Sequence, residues 1–221
     1  MSKTAIILGA TGLTGGILLQ KLIADKTYTK IKLFSRKTTN IQSDKIEESL
    51  IDVLQLEKYK KEFTGDVVFC CIGTTNAKTK DKEVYKAIDY GIPVNAAKLA
   101  KENSIDTFVV MSSMGADTAS AVFYSKTKGE MERDVIEQHI KNTAILRPSL
   151  IGGNRDEFRF GEKIGKGFMS LFDPLLKGKL EKYKMIHPDK IASSMQKLAE
   201  SSTNQSVFSS DEIVEIANSR K

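Results

Sequence analysis

The sequence predicts an α/β fold in which helices cover both faces of a parallel sheet. Short β-rich apolar runs alternate with amphipathic helical stretches, and the first run enters a glycine-rich turn. Alternation of this kind indicates parallel strands joined by right-handed crossovers. The length of 221 residues suits one well-buried domain and is short for two. We therefore expect a doubly wound sheet that forms a single domain over residues 1–221.

The amino-terminal half supplies the first four strands. We predict them from apolar, β-rich runs at residues 4–8, 31–35, 48–51 and 66–72. Residues 13–24 form a helix after the first strand, with Leu18 and Leu22 near one face, and residues 54–63 are also helical. Strand, helix and strand in this order are typical of the first half of a Rossmann-type sheet.

The second half continues the alternation and then changes character. We predict a helix at residues 82–103, with a break near Pro93 because proline suits a helix start better than its interior. Strands at 107–111 and 143–146 flank a long helix at 122–140. Residues 149–187 are rich in glycine, phenylalanine and charge, and we expect a small helical cap over the carboxyl ends of the strands. A helix at 188–200, a strand at 206–208 and a last helix capped by Asp211 complete the domain.

Charge and hydropathy argue against several classes of protein. The net charge is +6 and the isoelectric point about 9.1, but basic residues are scattered among acidic ones and form no aromatic-interleaved stripe. We therefore expect no nucleic-acid partner and a bias toward small anionic molecules. No apolar run is long enough for a bilayer, and the first residues form no signal-peptide core. We expect a cytoplasmic protein with no membrane partner.

The cysteines and histidines do not suggest a metal or a disulfide. Cys70 and Cys71 are adjacent, so a bond between them would be strained, and His139 and His187 are far apart in the sequence. No Cys-x-x-Cys pair is present. We therefore expect no metal site. Apart from this point, we expect a monomer or a homodimer that acts on a small molecule.

Three glycines directly follow the first predicted strand, in the pattern Gly9-x-x-Gly12-x-x-Gly15. Glycine allows a tight turn and lets the backbone approach a phosphate group closely. The N–H groups at the start of the following helix favour an anion. The pattern therefore predicts a nucleotide-binding loop, although its spacing differs from the usual Gly-x-Gly-x-x-Gly and a generic strand-turn-helix is the alternative.

Residues that follow the other strands are candidates for the same site, because ligands of such sheets bind beyond the carboxyl ends of the strands. Ser35-Arg36-Lys37 stands where an NAD enzyme would place an acid, so a hydroxyl and two cations favour the 2′-phosphate of NADP. An exposed basic turn is the alternative. We assign Asp52-Val53 to the adenine edge. The ends of the fourth and fifth strands contribute Gly73-Thr74 and Ser112-Ser113.

Tyr124 and Lys128 are four residues apart and share a face at the start of the long helix. A phenol normally titrates near pH 10, and a nearby ammonium group stabilises the phenolate. Such a pair can transfer a proton while a serine hydroxyl orients the substrate carbonyl. Surface decoration is the alternative, but the serine-bearing strand end and the glycine loop favour catalysis.

Together these motifs resemble an atypical short-chain dehydrogenase/reductase, most of all the Tat-interacting-protein-like oxidoreductase branch with its small bacterial members. The resemblance rests on the glycine loop, the Ser112-Ser113 strand end and Tyr124-x-x-x-Lys128. Residues 71–75, 109–116 and 147–159 fit the same branch, the last through Arg155, Glu157 and Arg159. The resemblance implies an NADP(H)-binding Rossmann protein with a Ser-Tyr-Lys catalytic set.

The resemblance also implies roles for individual residues. The catalytic set would be Ser113, Tyr124 and Lys128. Ser112 and Ser113 both fit the serine position, but strand alternation lets only one of them face the cofactor, and we favour Ser113. The other assignments concern the cofactor: Gly9, Thr11, Gly12, Leu13 and Thr14 at the pyrophosphate, Ser35, Arg36 and Lys37 at the 2′-phosphate, and Pro148 beside the nicotinamide.

Three functions fit these expectations. The first is an NADP(H)-dependent oxidoreductase for a small carbonyl or alcohol. The second is a nucleotide-sugar epimerase or dehydratase, which usually carries a larger substrate domain than the seventy or so residues after Pro148 provide. The third is an NADP-sensing interaction protein, against which the presence of Tyr124 argues.

Overall fold

A single parallel sheet forms the centre of the molecule. The computed structural model describes residues 2–75, 78–152, 184–201 and 205–219. The sheet has seven strands in the order β3-β2-β1-β4-β5-β6-β7, and all neighbouring pairs are parallel. The strands are β1 (Lys3–Leu8), β2 (Tyr28–Ser35), β3 (Ile46–Leu50), β4 (Val67–Cys70), β5 (Thr107–Met111), β6 (Asn142–Leu146) and β7 (Val207–Phe208). The expected doubly wound, Rossmann-type sheet is confirmed.

Helices cover both faces of this sheet. They are α1 (Leu13–Ala24), a 3₁₀ helix (Val53–Tyr59), α2 (Lys82–Lys86), a π segment (Ala87–Gly91), α3 (Ile92–Glu102), α4 (Phe123–Ile136), α5 (Pro188–Leu198) and α6 (Ser210–Asn218). The break expected near Pro93 does not interrupt the helical path, because the π segment runs directly into α3 there. Gly91 keeps helical dihedral angles, with φ −61° and ψ −49°.

Several predicted bounds shift by a few residues, as at β2, which begins at Tyr28, and β4, which ends at Cys70. Three helix predictions differ more. The helix expected at 54–63 is the shorter 3₁₀ helix, in which Gln55 leaves helical geometry. The long helix ends at Ile136 because the chain turns at His139, whose φ is +52°. Ser209, and not Asp211, caps the last helix: its backbone N–H donates to Glu212 Oε2 at 2.7 Å, in a reciprocal capping box.

Two apolar layers, one on each face, hold the sheet rigid. Along β1, Ala5 and Ile7 enter the layer beneath α1 and α5, whereas Ile6 and Leu8 enter the layer beneath α3 and α4. All four residues are fully buried. The carboxyl ends of β1, β4, β5 and β6 therefore have fixed positions relative to one another, which a site built on their loops requires.

Candidate cofactor and catalytic site

The loop between β1 and α1 packs more tightly than any side chain would allow. Gly9 has φ +87°, and a Cβ there would lie 3.0 Å from the backbone of Cys71. A Cβ on Gly15 would lie 2.1 Å from the Gly9 carbonyl oxygen. The start of α1 is therefore pressed against the end of β1, and the loop after β4 lies beside both.

The amino terminus of α1 has the features of an anion site. Gly12 is its N-cap and provides no side-chain cap, and the first turn contains no acidic residue. Thr14 is 2% exposed, and its Oγ1 has no hydrogen-bond partner among the described residues. Uncapped N–H groups beside an orphaned buried hydroxyl fit the pyrophosphate that the sequence predicts here. Thr11 and Gly12 are exposed, so a ligand can reach them.

The basic turn after β2 lies on the other side of β1 from the catalytic candidates. Arg36 and Lys37 are exposed, whereas Ser35 is 5% exposed and its hydroxyl donates to Lys37 O at 2.7 Å. Asp52 accepts from Leu54 N at 3.1 Å as the cap of the 3₁₀ helix. Val53 is buried below it. Asp52 thus has a structural task that the sequence analysis did not assign, and its contact with adenine stays a prediction.

Lys128 forms a buried ion pair with a residue that the sequence analysis missed. Its Nζ lies 2.8 Å from Asp89 Oδ1, and the two side chains are 4% and 1% exposed. Asp89 Oδ2 accepts from Thr74 N at 2.7 Å. One carboxylate in the π segment therefore joins Lys128 of α4 to the loop after β4, where Gly73 and Thr74 were expected.

A sequence signal for Asp89 does exist. Tyr85, Asp89, Ile92 and Ala96 follow helical spacing, and all four are buried. An acid at a position whose neighbours on that face are apolar is rarely buried without a partner. The structure adds a second indication that the sequence does not carry: Asp89 lies in a π segment, and π-bulges are frequent at functional sites.

Tyr124 packs edge-on against a second tyrosine. The ring centroids of Tyr124 and Tyr85 lie 5.9 Å apart with an interplanar angle of 64°, and Phe123 contacts the same Tyr85 ring at 5.7 Å. The Tyr85 hydroxyl is buried and has no hydrogen-bond partner in the part of the chain that the structure describes. Burial, followed by the charge of Asp89, raises the pKa of Tyr85, so this phenol stays neutral.

The two serines at the end of β5 have different surroundings. Ser112 Oγ donates to Glu132 Oε1 at 2.5 Å, and Glu132 also accepts from Arg147 Nε at 2.9 Å. This hydrogen bond raises the pKa of the Arg147 guanidinium. The Ser113 hydroxyl oxygen is buried, and no described residue bonds to it. Ser112 therefore links β5 to α4 through Glu132, whereas the Ser113 hydroxyl has no such structural contact among the described residues.

The loop after β5 lies directly on α4. Asp117 N donates to Ser125 O at 3.0 Å, next to Tyr124. A Cβ on Gly129 would lie 2.4 Å from the backbone of Asp117, so the loop and the helix touch without a side chain between them. Pro148, after β6, accepts from Met114 N at 3.0 Å. The loops after β4 and β5 thus lie against α4 or its partner Asp89, and Pro148 after β6 contacts the loop after β5.

The remaining expectations concern the cap, membrane helices, metal ligands and the cysteines. The cap at 149–187 lies mostly outside the described residues, as do Arg155, Glu157 and Arg159. Within the described ranges, no helix has the length and apolarity that a membrane crossing needs. No cluster of three potential metal ligands occurs in those ranges either. Both cysteines of the chain are free.

Sequence comparisons show the family to which the chain belongs. A family model described as NAD(P)H-binding matches residues 9–152. Protein HTATIP2 from Rattus norvegicus is 32% identical over 171 residues, which is 76% of this chain and 70% of that protein. A mitochondrial FMP52 protein from Candida glabrata is 36% identical over 181 residues, covering 76% of this chain and 75% of the relative. The name of that relative leaves the expected cytoplasmic location a prediction.

Solved structures share the fold. The Bordetella bronchiseptica enzyme WbmH in complex with NAD+ aligns with a TM-score of 0.72 at 13% identity, covering 99% of this chain and 80% of the other. A UDP-glucuronic acid 4-epimerase from Bacillus cereus, in complex with NAD, gives 0.68 at 18% identity, covering 93% and 77%. The family model and the relatives together confirm the resemblance found in the motifs: this chain belongs to the NAD(P)H-binding family, with the Rossmann architecture of short-chain dehydrogenases/reductases.

Proposed function

We propose that this protein is an NADP(H)-dependent oxidoreductase that interconverts a small carbonyl compound and its alcohol. The proposal is carried by three features at the carboxyl end of the sheet: Ser113 follows β5 with an orphaned hydroxyl, and Tyr124 stands one helical turn before the buried Lys128 on α4. A phenol, an ammonium group and a hydroxyl can together bind and protonate a single substrate oxygen. Membership of an NAD(P)H-binding family supports it.

The chain has groups for each part of the dinucleotide. The amides of residues 9–14 and the Thr14 hydroxyl would hold the pyrophosphate, and Lys128 would reach the ribose hydroxyls near the nicotinamide. NADPH, when bound, supplies the hydride for the carbonyl carbon. The other tasks fall to the protein: it positions the two reactants, excludes water and delivers a proton.

We assign proton transfer to Tyr124. Its phenol donates the proton to the carbonyl oxygen as that oxygen becomes an alkoxide, and the Ser113 hydroxyl holds the same oxygen in place. The Lys128 ammonium stabilises the phenolate that remains. In the reverse direction the phenolate accepts the proton of the alcohol.

The preference for NADP rests on the turn after β2. Arg36 and Lys37 are exposed there, and no carboxylate follows β2 in the position that would accept a ribose 2′-hydroxyl. The Ser35 hydroxyl already donates its proton to Lys37 O. The guanidinium of Arg36 is therefore the main candidate for bidentate binding of a 2′-phosphate.

The proposal is tested with purified protein, NADPH and a panel of aldehydes, ketones and unsaturated carbonyl compounds. We expect at least one compound to be reduced, with one NADPH oxidised for each alcohol formed. If NADPH binds but neither reduction nor oxidation of the matching alcohols by NADP+ occurs, a cofactor-sensing role describes the protein better. Interconversion of nucleotide-sugar epimers without net consumption of NADPH would instead indicate an epimerase.

Replacing Arg36 with alanine tests the choice of cofactor. Loss of a charge-assisted contact to phosphate should weaken NADPH binding about 10- to 100-fold and change NADH binding by less than about threefold. Calorimetric titration of both nucleotides measures the two dissociation constants. Lys30→Ala is the matched control, since Lys30 lies on β2, before the turn that holds Arg36, and pairs with Glu47 at 3.0 Å. Equal losses for NADPH and NADH in Arg36→Ala would contradict the 2′-phosphate assignment.

A further inference from the structure

Asp89 is buried at the centre of the candidate site, although it belongs to none of the motifs found in the sequence. Its carboxylate and the Lys128 ammonium are both almost completely shielded from solvent and lie 2.8 Å apart. Removing a charge from water is costly, and only a close partner of opposite charge offsets that cost. Each member of the pair therefore depends on the other to stay charged inside the protein.

The same carboxylate also supports the backbone at the site. Its second oxygen accepts from Thr74 N, and Gly73 is so close that a Cβ there would lie 3.4 Å from Asp89 Oδ1 and 3.9 Å from Lys128 Nζ. The loop after β4 thus rests on the ion pair. Movement of Asp89 would displace both that loop and the lysine.

Other titratable groups lie around this pair on the described elements. Tyr124 and the buried Glu132 stand one helical turn before and after Lys128 on α4, and Glu132 already accepts from Ser112 and Arg147. Tyr85 of α2 and Cys70 of β4 interact electrostatically with members of the pair. Burial raises the pKa of the Cys70 thiol to about 11, and it raises the pKa of Tyr85 as well. Cys70 and Tyr85 are therefore neutral near pH 7, so neither can replace Asp89 as a counter-charge.

We propose that Asp89 is a positioning residue whose carboxylate keeps Lys128 protonated in its buried place and holds the ammonium beside Tyr124. The inference deepens the proposed function and rests on it for the role of Lys128 in catalysis. The dependence of Lys128 on Asp89 is a property of the folded chain itself and can be measured without substrate or nucleotide.

Asp89→Asn separates the charge from the backbone contact, because an asparagine oxygen can still accept from Thr74 N. Without a counter-charge, Lys128 should lose its proton in the folded state while it remains protonated in the unfolded chain. The unfolded state then binds more protons, so the stability of the variant rises with pH. Its unfolding equilibrium constant should fall by up to about tenfold per pH unit between about pH 7 and pH 10, relative to the wild type.

Urea unfolding of the nucleotide-free protein across this pH range is the measurement. Asp134→Asn is the matched control, since Asp134 accepts from Tyr90 in the π segment at 2.5 Å but does not pair with Lys128. Asp134→Asn should follow the pH dependence of the wild type in this range. If Asp89→Asn also follows the wild type, Lys128 does not depend on Asp89 and the proposal is wrong.

Lys128→Met provides a second test should Asp89→Asn fail to fold. Asp89 then lacks its cation and should stay protonated in the folded state above the pH at which it ionises in the unfolded chain. The pH dependence of stability is therefore opposite to that of Asp89→Asn: the stability of Lys128→Met is retained at low pH and is lost as the pH rises above about 4. A wild-type pH dependence in this variant would overturn the proposal as well.

Activity supplies the remaining arm once a substrate is known. Relative to the wild type, Asp89→Asn should lower kcat for carbonyl reduction about 10- to 100-fold near pH 8 and recover as the pH falls toward about 6, because Lys128 regains its proton. A purely structural defect would not recover at lower pH. An altered unfolding profile without any turnover in the wild type would leave the Asp89 inference standing and contradict the proposed function. A kcat ratio that does not change with pH would overturn the inference.

Discussion

Replacing Gly15 with alanine is expected to lower the free energy of unfolding by about 3 kcal/mol or more. The added Cβ would lie 2.1 Å from the carbonyl oxygen of Gly9 and 2.8 Å from its carbonyl carbon. Both atoms belong to backbone that is held between β1 and the loop after β4. The contact can be relieved only if α1 moves away from the sheet, and that movement would also widen the proposed pyrophosphate site.

Urea unfolding monitored by circular dichroism gives the change in stability, and NADPH titration gives the change in affinity. Gly16→Ala is the matched control: its Cβ would lie 3.3 Å from Ala10 O, and alanine favours the helix. We expect its stability to stay within about 1 kcal/mol of the wild type. A Gly15→Ala protein as stable as Gly16→Ala would show that the β1–α1 packing tolerates a side chain and would contradict the close approach.

The largest effect on activity is expected for Tyr124→Phe. Loss of the phenolic proton donor should reduce kcat about 10²- to 10⁴-fold. The phenylalanine ring can keep the edge-on contact with Tyr85, so the free energy of unfolding should change by less than about 1 kcal/mol. Steady-state kinetics on a substrate from the carbonyl panel, with NADPH titration alongside, separate the chemical step from cofactor binding.

Tyr59→Phe is a suitable control for this experiment. Tyr59 ends the 3₁₀ helix and packs on the apolar layer beneath α3 and α4, and it is none of the residues assigned to the site. Its substitution should leave kcat within about twofold of the wild type. Wild-type turnover in Tyr124→Phe would exclude Tyr124 as the proton donor, whereas a parallel loss of NADPH affinity would indicate a binding role.

Elements governed by local patterns could be predicted from the sequence. The bounds of α1 and β5 agree with the structure, because helical spacing of leucines in the one and a short β-branched run in the other decide them. The glycine spacing also predicted the tight turn between β1 and α1. Each of these predictions depends on residues near one another in the chain.

The supports of the candidate site could not be predicted in the same way. Asp89 and Lys128 lie on separate helical elements, and Glu132 contacts Ser112 and Arg147 only after α4 has packed against β5 and β6. On the sequence, Glu132 is one more charged residue of a helix rich in charge. Only the packing of the elements shows that its side chain is buried.

The same argument explains the misplaced helix ends. Asp211 and Ser209 are both capping residues by type, and the choice of Ser209 depends on Glu212 lying three residues later. The shortening of α4 depends on a left-handed residue at His139, a conformation that histidine adopts only occasionally. Local sequence preferences favour neither cap of α6 and neither end of α4 strongly. Contacts in the folded structure decide between them.

The π segment gives the helix around Asp89 a property that a continuous α-helix would lack. A π turn contains more residues than the 3.6 of an α-helix, so it changes the rotational phase between α2 and α3. Loss of one residue from Ala87–Gly91 would restore α geometry and turn the preceding residues by about 100° relative to α3. Tyr85 would then leave Tyr124, while α3 kept its place against β4 and β5. The contact between the Tyr85 and Tyr124 rings thus depends on the one additional residue in the π segment. A change in the length of this helix could remodel the site while the sheet stays intact.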